Sequence, residues 1–151
     1  MKKAIILSMM LFLLFSPALW LVTDVRAQRQ DTTPPKLVEF SFTPTTIDIS
    51  TQDQTVTVTL QITDDFSGFS SGRVYFTSPS RNLTLFGFIS GISGDELNGT
   101  YQALITIPRS SEIGIWQVGQ SSHLVDFAKN RKHLLASELA AMGFPTELEV
   151  K

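Results

Sequence analysis

Gln54-Thr55-Val56-Thr57-Val58-Thr59-Leu60-Gln61-Ile62-Thr63 (QTVTVTLQIT) is the stretch that decides the fold class. Val56, Val58, Leu60 and Ile62 fall on every second position, with Thr and Gln between them. Period two is the spacing of a strand, whose successive side chains point to opposite faces. The β-branched residues on both faces suit a pleated, half-buried surface. One side of this strand therefore lies on a core and the other meets water.

Working outward, the same pattern recurs in short runs. Val38, Phe40 and Phe42 alternate with Glu39 and Ser41 until Pro44. Val74 and Phe76 alternate with Arg73, Tyr75 and Thr77, and Pro79 follows. Leu83 to Ile89 (LTLFGFI) is apolar on both faces, and Ser90 to Gly99 reads as a glycine-rich acidic loop. Tyr101, Ala103, Ile105 and Ile107 mark an inner face that Pro108 ends. A strand over Ile115 to Val125 carries Trp116 and Val118, turns at Asp126 to Asn130 and returns from Lys132. Ser137 is placed to cap a short helix over Glu138 to Met142, and Gly143 stands where a left-handed C-terminal cap belongs. Thr146 to Val150 alternates as a last strand. Seven to eight short strands with turns every 8–12 residues or so predict an all-β, Ig-like antiparallel sandwich with one short helix before the last strand. A barrel has the same strand count and stays as the alternative.

The first 27 residues read differently. Met1-Lys2-Lys3 is basic, Ala4 to Val22 is apolar with a break at Pro17, and Val25-Arg26-Ala27 has small side chains at the cleavage positions. That is the order of a secretory signal peptide, cleaved after Ala27. The expected organisation is 1–27 signal peptide, 28–35 linker and 36–151 sandwich domain. The product is expected to be secreted, periplasmic or held at the cell surface. The chain has no cysteine, so neither a disulfide nor a lipid-modified cysteine is available. The leader contains Lys2, Lys3, Arg26 and Asp24, which leaves 9 basic and 13 acidic residues of the 12 and 14 in the full chain. Such a mildly acidic domain lacks the basic stripe that nucleic-acid binding needs.

Several segments resemble bacterial Ig-like domains of secreted and cell-surface proteins. They are Asp31-Thr32-Thr33-Pro34-Pro35 before a Phe-bearing strand, Ile62-Thr63-Asp64-Asp65-Phe66-Ser67-Gly68, Gly114-Ile115-Trp116-Gln117-Val118 leading to Asp126-x-Ala128-x-Asn130, and Ser137 to Thr146. The resemblance implies a sandwich fold, an extracellular setting and no enzyme activity. Lys129 departs from it, because the group has glycine at that position of the turn. A left-handed backbone there would make lysine costly by about 1 kcal/mol.

Candidate chemistry is sparse. Ser121, Ser122, His123 and Asp126 are the residue types of a hydrolytic triad, but they crowd one strand and its turn, and a triad converges from separate elements. No glycine-rich phosphate loop precedes a helix. Asp64, Asp65, Asp126 and Asn130 lie in loops that share one end of an Ig-like sandwich, which makes them candidate calcium ligands, since calcium takes six to eight hard oxygen donors. The same residue types also serve as ordinary turn formers, so both readings stand. Leu83, Leu85, Phe86 and Phe88 form the candidate partner-binding surface, by strand pairing or through an apolar patch. The expected function is a non-catalytic interaction module for a protein or extracellular matrix component. A carbohydrate-binding module, with Tyr75 and Phe66 as its aromatics, is the alternative, and a small secreted hydrolase is a third.

Overall fold

A computed structural model describes residues 30–151. The expected leader, 1–27, and the first two linker residues lie outside the described residues. The elements in chain order are β1 (Lys36–Thr43), β2 (Thr46–Ile47), β3 (Gln54–Thr63), β4 (Phe69–Thr77), β5 (Thr84–Phe88), β6 (Ser90–Gly94), β7 (Asn98–Ile107), β8 (Gly114–Val118), β9 (His123–Asp126), β10 (Arg131–His133), α1 (Ala136–Ala141) and β11 (Glu147–Val150).

Two sheets face each other. The first runs β1-β3-β7-β6, all antiparallel. The second runs β10-β9-β4-β8-β11-β2, with β5 on the other edge of β4. β9 pairs with the first half of β4 and β8 with its last two residues, so β8 and β9 are two halves of one strand position. This is the strand order of an Ig-type sandwich, with an added edge strand. The chain crosses between sheets at Pro44, which leaves β1 in one sheet and β2 beside β11 in the other, the only parallel pair among the described residues. No barrel closes.

The deciding stretch is β3. It pairs along its whole length with β7, and Val56, Val58, Leu60 and Ile62 are completely buried. They meet Phe76, Trp116, Leu124 and Leu148 of the opposing sheet in one continuous core. Full burial of each such aliphatic side chain stabilises by about 1.5–3 kcal/mol. The single polar atom of Trp116 is satisfied, since its Nε1 donates to the Glu112 carbonyl at 2.8 Å.

Four expectations change in detail. A β-bulge between Leu37 and Glu39 puts two residues opposite one, which turns Leu37 inward and leaves Val38 41% exposed. The loop expected over Ser90 to Gly99 is mostly hairpin, because β6 pairs back on β7. The strand expected over Ile115 to Val125 breaks between Val118 and His123, where Gly119 N–H donates to the Tyr75 carbonyl at 2.7 Å and Ser122 N–H to the Gly119 carbonyl at 3.0 Å. Ser137 does not cap α1: Leu135 holds the cap position without a side-chain bond, and Ser137 lies inside the helix. Gly143 does take the left-handed conformation, at φ +82°. Leu139 is buried in the core and Phe144 packs against Phe40, so this segment covers one end of the sandwich. Among the described residues no helix is long and apolar enough to cross a membrane.

Candidate functional sites: an acidic pocket and a basic aromatic face

The loop end that follows β3 and β9 collects carboxylates. Asp64 comes directly after β3. Its Oδ1 accepts the N–H groups of Phe66 at 3.1 Å and Gly68 at 2.7 Å, which folds the turn around it. Gly68 has φ +87°, and a Cβ there would lie 2.7 Å from the Glu96 Cβ, so glycine is required on both counts. Asp126 ends β9 and is fully buried. Its Oδ1 accepts Asn130 N–H at 2.8 Å and its Oδ2 accepts the Asn130 amide at 2.7 Å. The third carboxylate is Asp31, from the expected linker. It accepts Thr33 N–H at 2.9 Å and Ser67 N–H at 3.0 Å.

Asp31, Asp64 and Asp126 each present an oxygen within 4.8 Å of the others. Two unit charges at that separation repel by about 3 kcal/mol at an effective dielectric of about 20. Asp64 and Asp126 form no ion pair among the described residues, where the pairs are Lys132–Glu138 and Lys151–Glu149. The Oδ2 of Asp64 is buried and has no hydrogen-bond partner. A buried acceptor left unmade costs about 1–3 kcal/mol. Hard anionic oxygens in this number suit a calcium ion, with carbonyls or water completing the shell.

Of the four residues expected as ligands, the fold brings Asp64 and Asp126 together. Asp65 is exposed and outside the cluster. Asn130 joins through its nitrogen: Nδ2 also donates to the carbonyls of Asp31 at 3.2 Å and Thr33 at 3.4 Å. Carbonyls only accept, so the amide orients Asp126 and ties down the Asp31 segment. Asp31 was missed because it stands in a polar, proline-flanked run that carries no strand period. Its only local sign is an Asp two residues before Thr33, the spacing of an Asx turn. Lys129 takes φ +75°, so the turn keeps the left-handed position despite the lysine.

The second site is the outward face of β5, β4, β9 and β10. Register places Phe88 opposite Arg73, Arg73 opposite His123, and His123 opposite His133, one row across four strands. Phe86 lies opposite Tyr75 in the next row. The Tyr75 and Phe86 rings are 5.2 Å apart and those of Phe86 and Phe88 5.4 Å. The Arg73 guanidinium stands 5.2 Å from the Phe86 ring centre and 4.7 Å from that of Phe88, within cation–π range. An open groove of about 570 Å³ runs beside them, lined also by His123, Arg131 and His133. Phe86 is 44% exposed and Phe88 63%. Leu85 faces the other way and packs on the core, and Leu83 precedes the strand.

The outward face is open, and the inward side of β5 is closely packed. A Cβ on Gly87 would lie 2.5 Å from the Leu104 carbonyl oxygen, so β5 sits directly against β7 there. The triad residues do not converge. Ser122 is buried and its Oγ accepts Tyr75 N–H at 3.0 Å, Asp126 points into the acidic pocket, and His123 faces outward with Nδ1 2.7 Å from the Ser121 carbonyl. Elsewhere, burial pushes the Tyr101 hydroxyl up, with Glu96 and Asp95 adding to it. Hydrogen bonds from Ser80 hold the Glu112 carboxyl below its usual range.

A family profile matches residues 29–142, which span the whole acidic pocket and all of the basic aromatic face. The chain belongs to the DUF7743 family, a domain of unknown function. No curated protein and no solved structure matches it. Within this DUF7743 domain the matched region contains Asp31, Asp64 and Asp126 and ends before β11.

Proposed function

We propose that this chain is an exported, non-catalytic interaction module that binds a protein or an extracellular matrix component through the outward face of β5, β4, β9 and β10. The observation that carries the reading is the pair of exposed phenylalanines, Phe86 and Phe88, set against Arg73 on an open, grooved four-strand surface. Contiguous exposed aromatics are uncommon on a surface with no partner, and aromatic residues beside arginine are the usual anchors of interfaces. The leader-like first 27 residues support an extracytoplasmic setting. The test is retention on plates coated with gelatin or with matrix polysaccharide. The wild-type chain is retained, and Phe86→Ser/Phe88→Ser, which alters only exposed side chains, is washed off. Equal retention of the variant would assign the contact to another surface.

Calcium bound by Asp31, Asp64 and Asp126 braces the adjoining loop end in this reading. Its support is the convergence of three carboxylate oxygens within 4.8 Å and the unpartnered Asp64 Oδ2. Calcium titrated into the chelated chain should raise its melting temperature, and Asp64→Asn should remove most of that rise. A calcium response that survives Asp64→Asn would refute the site.

A further inference from the structure

We propose that the ligand of the basic aromatic face is an acidic polysaccharide, a chain of pyranose sugars bearing carboxylates. This rests on the reading of that face as the working surface, and it names the partner's chemistry.

Charge gives the first argument. The chain as a whole is net −2. Yet the four strands of this face contain Arg73, Arg131 and Lys132 with a single carboxylate, Asp126, whose side chain is buried on the opposite side. Lys132 is taken by Glu138 at 2.6 Å. Arg73 and Arg131 form no ion pair among the described residues. The one side-chain bond of Arg73 is to the Tyr75 hydroxyl at 3.4 Å, which leaves most of the five guanidinium N–H groups free for an anion. An anionic partner is what this local field attracts.

Shape gives the second. The row from Phe88 through Arg73 and His123 to His133 crosses three inter-strand gaps, about 14 Å. Along it, the Phe88 ring is followed by the hydrogen-bonding groups of Arg73, His123 and His133, beside an open groove rather than an enclosed pocket. A peptide held by side chains needs anchor pockets, and one held by its backbone needs a free strand edge. The rings and arginines of this surface stand on the sheet face rather than along the β5 edge. A sugar chain needs neither. Its C–H faces lie on Tyr75, Phe86 and Phe88, while its carboxylates and hydroxyls reach Arg73, Arg131 and the imidazoles. Because His123 Nδ1 faces the Ser121 carbonyl, which only accepts, its Nε2 is the ring atom left for a ligand.

Calorimetric titration with a glucuronate-containing hyaluronate hexasaccharide tests this, in parallel with an uncharged N-acetylglucosamine hexamer and with poly-glutamate of matched charge. We expect the hyaluronate oligomer to bind, and the other two to bind at least about tenfold more weakly. Arg73→Gln and Phe88→Ala should each weaken binding about tenfold or more, the scale of one charge-assisted hydrogen bond or one aromatic contact, with melting temperatures unchanged. Chondroitin sulfate separates the anions: tighter binding there would replace carboxylate by sulfate as the recognised group and overturn the carboxylate assignment. Poly-glutamate binding as tightly as hyaluronate overturns the polysaccharide and leaves the face intact. Absence of hyaluronate binding, with the coated-plate result still sensitive to Phe86 and Phe88, likewise overturns the polysaccharide alone. Hyaluronate binding that neither substitution weakens overturns the face as well.

Discussion

The acidic pocket and the basic aromatic face are built on the same strand and have opposite electrostatics. In β9, Asp126 points inward to meet Asp31 and Asp64, whereas His123 and Val125 point outward beside Arg73. The pocket has three carboxylates; the face has two arginines that form no ion pair among the described residues, and no exposed carboxylate on its four strands. Alternation along a strand is enough to separate them. The pocket is held by backbone N–H groups from turns, so its geometry is local and rigid. The face is held by register across four strands, so it depends on the whole sheet. A loop change should therefore affect the pocket alone, and a change in sheet packing should affect the face alone.

The largest effect should come from the cation. Calcium at a hundred times its dissociation constant stabilises by about 2.7 kcal/mol, several degrees in melting temperature. Asp64→Asn should lose that response and, in chelator, should be no less stable than wild type, because it removes one repelling charge and keeps the oxygen that accepts Phe66 and Gly68 N–H. Asp126→Asn should lose the response and also cost stability, because it sets an amide NH2 against a part-buried Asn130 donor. Calorimetry with and without chelator checks the crossing. If both variants are equally destabilised under the two conditions, the carboxylates are turn formers only.

Gly87→Ala should cost about 1–3 kcal/mol, since the new Cβ meets the Leu104 carbonyl and overpacking forces the backbone to move. It should loosen β5 and weaken ligand binding at the face, while the calcium response is kept. Loss of both functions together would make the two sites one cooperative unit.

Lys129→Gly should stabilise by about 1 kcal/mol, through relief of the left-handed backbone at φ +75°. Denaturant unfolding measures it, and the face should bind its ligand unchanged.

The smallest effect lies away from both sites. Glu112 accepts Ser80 N–H and the Ser80 hydroxyl, and its carboxyl is held below the usual value of 4.5. A depressed carboxyl contributes stability that is present above the unfolded value and lost as pH falls through the folded one. Glu112→Gln should therefore flatten the acid side of the stability profile slightly, with neither site affected. A profile identical to wild type would deny that bond any role.

Much of the fold was legible because its signals are local. The ten-residue alternation of β3, the inner residues of β7 and the Gly143 cap each depend on one or two neighbours in sequence. The misreadings all concern register or ends. The bulge at Val38, the break before His123 and the β6 hairpin are set by which strand lies alongside, and alternation in one strand carries no record of its partner. In the acidic pocket, Asp64 and Asp126 could be paired from the loop arrangement of an Ig-like sandwich. Asp31 could not, because Ser67 and Asn130, from two distant turns, draw its segment onto the cluster.

By itself, the sequence determined the strand periods, the turn residues, the absence of disulfides and the leader-like start, all consequences of composition and near-neighbour spacing. Tertiary structure alone decided that Asp31 completes a three-carboxylate cluster and that Asn130 faces it with nitrogen. It also decided that Phe88, Arg73, His123 and His133 stand in one row. Each of these is a relation between strands or loops far apart in the chain, fixed by hydrogen-bond register and by burial of a shared core.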